Sequence, residues 1–370
     1  MRRQDFFEHQ VQSLKGLVQR WHASGGTDLS LEARVRGIVA RDLMSLAGPD
    51  VTVRVLGELD VLEADRLQDM ITLCSQSFLR TDAVWNAFAV PVAVQWHMQH
   101  HRIYIAKRAE PYYLNELAAG IRQCLGAQRV VLDGAIYSAD VLYRLSAHAL
   151  HDQLQSIAMG GPRFTPRLQS MALRSASEPP WRMVYFLGLE ITKPDATRRL
   201  HESGVQDALQ SYLHLGADAL TKSAPVASGS PASTTVLSKF ELGAHGNTIC
   251  HAPRYLFDAI HFGEKARRGY RLRQLVEEMA KVQKQFVLYH AFNPGRFAVD
   301  LLLEGKWLAY EMQWKMFVAE TVEDAIRDVQ SVIDAAATNV HCDLIELDEE
   351  DLRSQREQTA LGHFQIDKRR

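Results

Sequence analysis

Gln285–Phe317 reads QFVLYHAFNPGRFAVDLLLEGKWLAYEMQWKMF, three runs of period-two alternation joined by two turn signals. Gly305-Lys306 puts glycine at the first central position of a tight hairpin, where a type II′ turn needs it. A two-residue loop there sets Leu303, Leu301, Val299 and Phe297 opposite Leu308, Tyr310, Met312 and Trp314, all on one face. Asn293-Pro294-Gly295-Arg296 then returns an earlier strand whose Phe286, Leu288, His290 and Phe292 join that face. The same register sets Asp300 opposite Glu311, with Tyr289 on the other flank. Two facing carboxylates repel unless a cation separates them. The stretch predicts a three-stranded meander with one apolar face.

Flanking segments supply a cover for that face. Thr321 caps a helix in which Val322, Ala325, Ile326, Val329, Ile333 and Ala336 share one side. A last strand, Val340–Leu347, runs into the acidic Asp348–Asp351. On the other side, Pro253 opens a helix whose continuation Gly263 and Gly269 weaken. Leu272, Leu275, Val276, Met279 and Val282 form a second stripe leading into the meander.

The first 80 residues carry helical patterns. Phe6, Phe7, Leu14, Leu17 and Trp21 form a stripe ended by Gly25-Gly26. Asp28 or Ser30 caps a second helix with Val35, Val39 and Leu43, and a third pattern covers Leu59–Leu79. Ala83–Trp96 is almost continuously apolar, a strand buried on both faces in which Pro91 demands a bulge or an edge. Helix Tyr113–Leu125, strand Arg129–Asp133, helix Ala139–Ile157, strand Arg182–Thr192 and helix Glu202–Leu220 follow. Such alternation predicts βαβ crossovers and a mostly parallel sheet. Gly160–Pro180 and Lys222–Thr235 are low-complexity loops or linkers. The fold class is therefore α/β. Its expected parts are a helical N-terminal segment (1–80), a mostly parallel central α/β unit (81–221), a linker (222–235), a C-terminal α+β unit with the meander, its packed helix and a final strand (236–352), and a mobile tail (353–370).

At 370 residues, 46% hydrophobic and 23% charged, the chain has ordinary globular composition and room for two or three cores. A net charge of −2 makes no global field for nucleic acid or membrane, so such binding needs a local patch. The four cysteines form no CxxC or CxxxH pattern and read as free thiols in a reducing, cytoplasmic compartment. The N-terminus lacks the apolar run of a signal peptide, and no stretch reaches the roughly 18 apolar residues of a membrane span.

Three constellations are candidates for function. Asp133, Ser138 and Asp140 follow a predicted parallel strand, and Glu190, Thr192 and Lys193 leave the next one. Ligands in open α/β sheets bind at such strand ends. Ser138 as a helix N-cap, with Asp140 favoured by the dipole, explains the first group without chemistry. Lys265, Arg267, Arg268, Arg271 and Arg273 surround Tyr270 with no acid between, cations and an aromatic suited to phosphate and a base. A solvated helix junction is the competing reading, with Glu277 and Glu278 diluting the field. His97, His100 and His101 have metal-ligand spacing but no Asp, Glu or Cys on their element to complete a site, and His148 with His151 at i, i+3 sits beside Asp152, where solvated histidines are the competing reading. No nucleophile–base pair, phosphate loop, metal set or cofactor motif is complete. The expectation is a non-catalytic interaction or scaffolding protein with a protein partner or self-association. The alternatives are nucleic-acid binding through 265–273, or a ligand site or enzyme at the strand edge near Asp133.

Overall fold

The computed structural model describes residues 3–45, 49–80, 82–95, 102–103, 109–160, 171–172, 181–194, 199–221, 248–293, 295, 297–304, 309–316, 320–336 and 341–347. No helix among them is long and apolar enough to cross a membrane. The chain forms two compact units: Met1–His97, Arg102–Met171 and Met183–Gly263 make the first, and Met98–His101, Ala172–Arg182 and Glu264–Arg370 the second. It is a mixture of helices and strands with two main sheets.

The first unit begins with α1 (Arg3–Ala23), α2 (Leu29–Leu43), α3 (Asp50–Leu56) and α4 (Val61–Gln76). Asp28 caps α2 by accepting the Ser30 and Leu31 amides. Asp60 and Glu63 form a reciprocal capping box on α4. The short α3 was not anticipated, because Val51, Val53 and Val55 alternate like a strand. Val51 and Val55 instead use their i, i+4 spacing to bury one helical face with Leu14, Val18, Val35 and Leu67. Asp42 accepts the Thr52 amide at 2.7 Å and anchors its first turn.

The chain continues through β1 (Ser77–Leu79), β2 (Val84–Gln95), β3 (Arg102–Ile103), α5 (Pro111–Leu125), β4 (Arg129–Tyr137), α6 (Ala139–Tyr143), α7 (Ala147–Ala158), β5 (Met171–Ala172) and β6 (Trp181–Thr192). Then come α8 (Ser203–Leu209), a 3₁₀ turn (Gln210–Tyr212), α9 (Leu213–Thr221), β7 (Thr248–Cys250) and β8 (Arg254–Tyr255). The main sheet has the order β1-β2-β6-β4, with β7 and β8 also on β2, while β3 and β5 pair separately.

The expected mostly parallel sheet is corrected here. β1 with β2, β7 and β8 with β2, and β4 with β6 are all antiparallel. Continuous apolar runs such as Ala87–Val94 require cover on both faces, and that requirement says nothing about strand direction. Pro91 sits where the partner strand breaks: β8 pairs as far as Ala89, β7 resumes at Val92, and the Pro91 carbonyl accepts the His251 amide at 2.9 Å. Predicted helix Ala139–Ile157 is two helices, because Ser146 caps α7 by accepting the Ala149 amide.

α10 (Leu256–Val282) starts after β8, so Pro253 precedes a strand rather than opening the helix. α10 also runs unbroken through Gly263 and Gly269. Gly263 serves close approach, because a Cβ there would collide with the Tyr185 hydroxyl, whereas one on Gly269 would make only ordinary contact at 3.5 Å from Val332.

In the second unit, β9 (Gln285–Asn293), β10 (Ala298–Glu304) and β11 (Ala309–Lys315) form an antiparallel meander, followed by α11 (Val322–Ala336) and β12 (His341–Glu346). The sheet order is β11-β10-β9-β12, with β12 parallel to β9. Phe286, Leu288, Val299, Leu301, Met312 and Trp314 make the buried face, packed with the helical stripes at Leu272, Val276, Met279, Val329 and Ile333. Thr321 and Asp324 cap α11 reciprocally.

The register departs from expectation by two residues. Leu301 faces Met312 and Val299 faces Trp314, so four residues, 305–308, separate the paired ends Glu304 and Ala309. A shift of two leaves every side chain on its predicted face, which is why patterning alone could not detect it. Asp300 consequently faces Gln313 and Ala291, and Leu302 faces Glu311 and Tyr289. Phe297, with φ of 45°, belongs to the turn and is exposed, as is Phe292 at the strand end. The predicted Gly305-Lys306 turn, Pro294 and Arg296 of the other turn, the linker 222–235 and the tail 353–370 lie outside the described residues.

Candidate functional site

Asp133 lies inside β4 rather than after it. The pairing of β4 with β6 shifts between Leu132–Gly188 and Ile136–Phe186, leaving Asp133, Gly134 and Ala135 in a bulge. The buried Asp133 carboxylate accepts the Ala135 amide at 3.1 Å, Gln153 Nε2 at 2.9 Å and the Tyr137 hydroxyl. Gln153 Nε2 also reaches the Tyr137 hydroxyl oxygen at 3.0 Å. Burial, then the Asp133 charge, pushes the Tyr137 phenol well above its ordinary range, so it remains a donor. Ser138 occupies the N-cap position of α6 without a side-chain cap bond, and Asp140 is exposed.

Glu190 belongs to a second buried network. Its carboxylate accepts Asn86 Nδ2 at 3.1 Å and the Tyr255 hydroxyl at 3.4 Å, while Ser77 Oγ donates to Asn86 Oδ1 at 2.8 Å. The structure does not bring this carboxylate to Asp133. Tyr137, which holds Asp133, pairs with Tyr185, five positions from Glu190 on the same strand. Alternation puts positions of odd separation on opposite faces, so the two acids occupy different sides of the sheet. Lys193 is exposed at the end of β6, beyond both networks.

Near Glu190, the first unit contains a cleft of about 370 Å³ lined by Leu200, His201, Arg254, Tyr255, Asp258 and His261. β8 delivers Arg254 and Tyr255, and the first two turns of α10 deliver Asp258 and His261. Tyr255 is buried, whereas His201, Asp258 and His261 are exposed. The Arg254 guanidinium carbon lies 4.3 Å from the Phe262 ring centroid. Phe262 in turn meets His251 edge-on at 5.0 Å. Burial, then the Arg254 charge, lowers His251 to about 4, so this imidazole is neutral at physiological pH. None of these lining residues was singled out in the sequence. Arg254-Tyr255 is too short to alternate, and its place on β2 depends on pairing across more than 160 positions.

The basic segment lies on α10 in the second unit, and its cations have acidic partners. Lys265 Nζ is 2.9 Å from Asp328, Arg267 pairs with Glu264 at 2.7 Å and Arg273 with Glu277 at 2.8 Å. Arg268 is buried against Glu320 at 3.1 Å, and Arg271 is engaged too. Tyr270 stacks on Trp181, with ring centroids 4.5 Å apart. A phosphate arriving here would have to displace carboxylates already in place.

His148 Nε2 is 3.5 Å from Asp152, and His151 stacks on Trp85 at 6.4 Å. Among the described residues no group of His, Cys, Asp and Glu has the geometry of a metal site. His97, His100 and His101 lie outside them. The cysteines are free, and burial raises the thiols of Cys74 to about 11 and Cys250 to about 12, values that suit packing rather than nucleophilic chemistry. Comparison of the chain with protein-family models, curated proteins and solved structures finds no match.

Proposed function

We propose that this chain is a non-catalytic interaction protein that binds a protein partner or a second copy of itself. The carrying observation is the exposure of large apolar side chains on the N-terminal helices. Phe6, Leu29, Val53, Val61 and Leu62 are each more than half exposed, although the same helices bury a well-filled core. Val53 stands before, and Val61 with Leu62 after, the short α3–α4 connection at Gly57–Asp60. Support also comes from the strand-edge acids: Asp133 and Glu190 are held as acceptors in separate buried networks, an arrangement that suits structure better than proton transfer.

Nucleic-acid binding through 265–273 ranks below this reading, because its cations already neutralise carboxylates of their own unit. The test is native mass spectrometry with light scattering on the full chain and on Val61→Glu with Leu62→Glu. Self-association, or a partner retained through purification, should be lost in the variant while its far-UV spectrum is unchanged. A monomer without a partner in both proteins overturns the proposal.

A further inference from the structure

The cleft beside Glu190 is built around the guanidinium of Arg254. Among the described residues, Arg254 Nε is buried and has no hydrogen-bond partner. The group is nevertheless held: its backbone pairs with Ala89 in the β8–β2 ladder, and its guanidinium rests on Phe262. A positioned guanidinium presents parallel donors that match a carboxylate or phosphate, and holding it in advance lowers the ordering cost of binding.

We propose that this cleft binds a small ligand through an oxyanion, carboxylate or phosphoryl, that pairs with Arg254 between His201 and His261. The volume of about 370 Å³ falls within the range of small-molecule sites. Tyr255 makes a fixed wall, since its hydroxyl is engaged by Glu190, and Leu200 supplies apolar surface. The 27-residue α10 starts at Leu256, so the positive end of its dipole adds to the field of Arg254. Asp258, exposed on the same helical turn, opposes that field and limits affinity for a bare anion. This inference does not rest on the interaction reading, because the cleft and the apolar helices share no residue.

The probes are inorganic phosphate and acetate, followed by calorimetry and by the imidazole resonances of His201 and His261, with sodium chloride as the ionic-strength control. At least one probe should give a saturable response that chloride does not reproduce, and the tighter of the two identifies the oxyanion class. Arg254→Met, which keeps the stem over Phe262, should weaken binding by about tenfold or more. Asp258→Asn, an exposed change that leaves the fold in place, should tighten it a few-fold. Responses identical to chloride, or an affinity unmoved by both substitutions, overturn the proposal.

Discussion

Arg268 and Glu320 form a bidentate pair with three N–O contacts of 3.1 to 3.2 Å, and their side chains are only 6% and 3% exposed. The same guanidinium donates to the Lys315 carbonyl and lies 4.4 Å from the Trp314 ring centroid. α10, the end of β11 and the residue preceding the α11 cap are thereby tied at one point. Removing one partner of a buried pair strands the other charge, at a cost of about 3–5 kcal/mol. Arg268→Met should therefore lower the urea midpoint strongly, and Arg268→Met with Glu320→Leu should recover most of the loss. A double variant no more stable than the single one would show that the pair's contribution is not ionic.

Two glycines in helices should respond to alanine with opposite signs. Gly37 in α2 has nothing within 4 Å of a Cβ position, so Gly37→Ala should stabilise by roughly 0.5–1 kcal/mol through backbone entropy alone. At Gly263 the same gain is opposed by collision with the Tyr185 hydroxyl, whose displacement costs roughly 1–3 kcal/mol. Gly263→Ala should destabilise, and adding Tyr185→Phe should return part of the loss. Thermal melts of the four proteins decide the matter.

His251 predicts how stability changes in acid. Its folded value of about 4 lies below the ordinary 6.5 that it regains on unfolding. Between those values the unfolded chain binds the extra proton, so stability rises with pH across that window. The contribution is fully present above about pH 6.5 and is lost as pH falls toward about 4. His251→Gln should flatten the melting temperature between these pH values relative to wild type. An equal slope in both proteins would locate the acid response in other groups.

How much was legible in the sequence follows from which interactions act locally. Caps at Asp28 and Thr321, and the buried faces carrying Leu301 and Val329, depend on spacing within one element and could be read directly. Strand direction in the six-stranded sheet could not, because Ala87–Val94 would look alike in either orientation. The basic run looked unopposed because its acids stand outside it: Glu264 and Glu277 flank it on the same helix, and Glu320 and Asp328 lie some 50 to 60 positions downstream of Arg268 and Lys265. Asp133 seemed to end a strand, yet a bulge absorbs it and carries β4 on to Tyr137. The cleft was invisible for the same reason, since His201, Arg254 and His261 meet only after folding.

The two-residue shift in register changes what substitutions in the meander should do. Leu301 is buried facing Met312 and His290, so Leu301→Asp places a charge in the core and should destabilise by several kcal/mol. Gln313 lies on the other face, where the expected register would make Gln313→Asp nearly silent. In the observed register Gln313 faces Asp300, a fully buried acid that accepts Asn293 Nδ2. A second carboxylate directly opposite should cost about 0.2–1 kcal/mol at neutral pH, and more to the extent that burial limits screening. Gln313→Ser shortens the side chain without adding charge and should cost less than Gln313→Asp. Chemical denaturation of both variants at neutral pH measures the difference between them. Equal stabilities at neutral pH would contradict the pairing of Asp300 with Gln313 and, with it, the four-residue separation between β10 and β11.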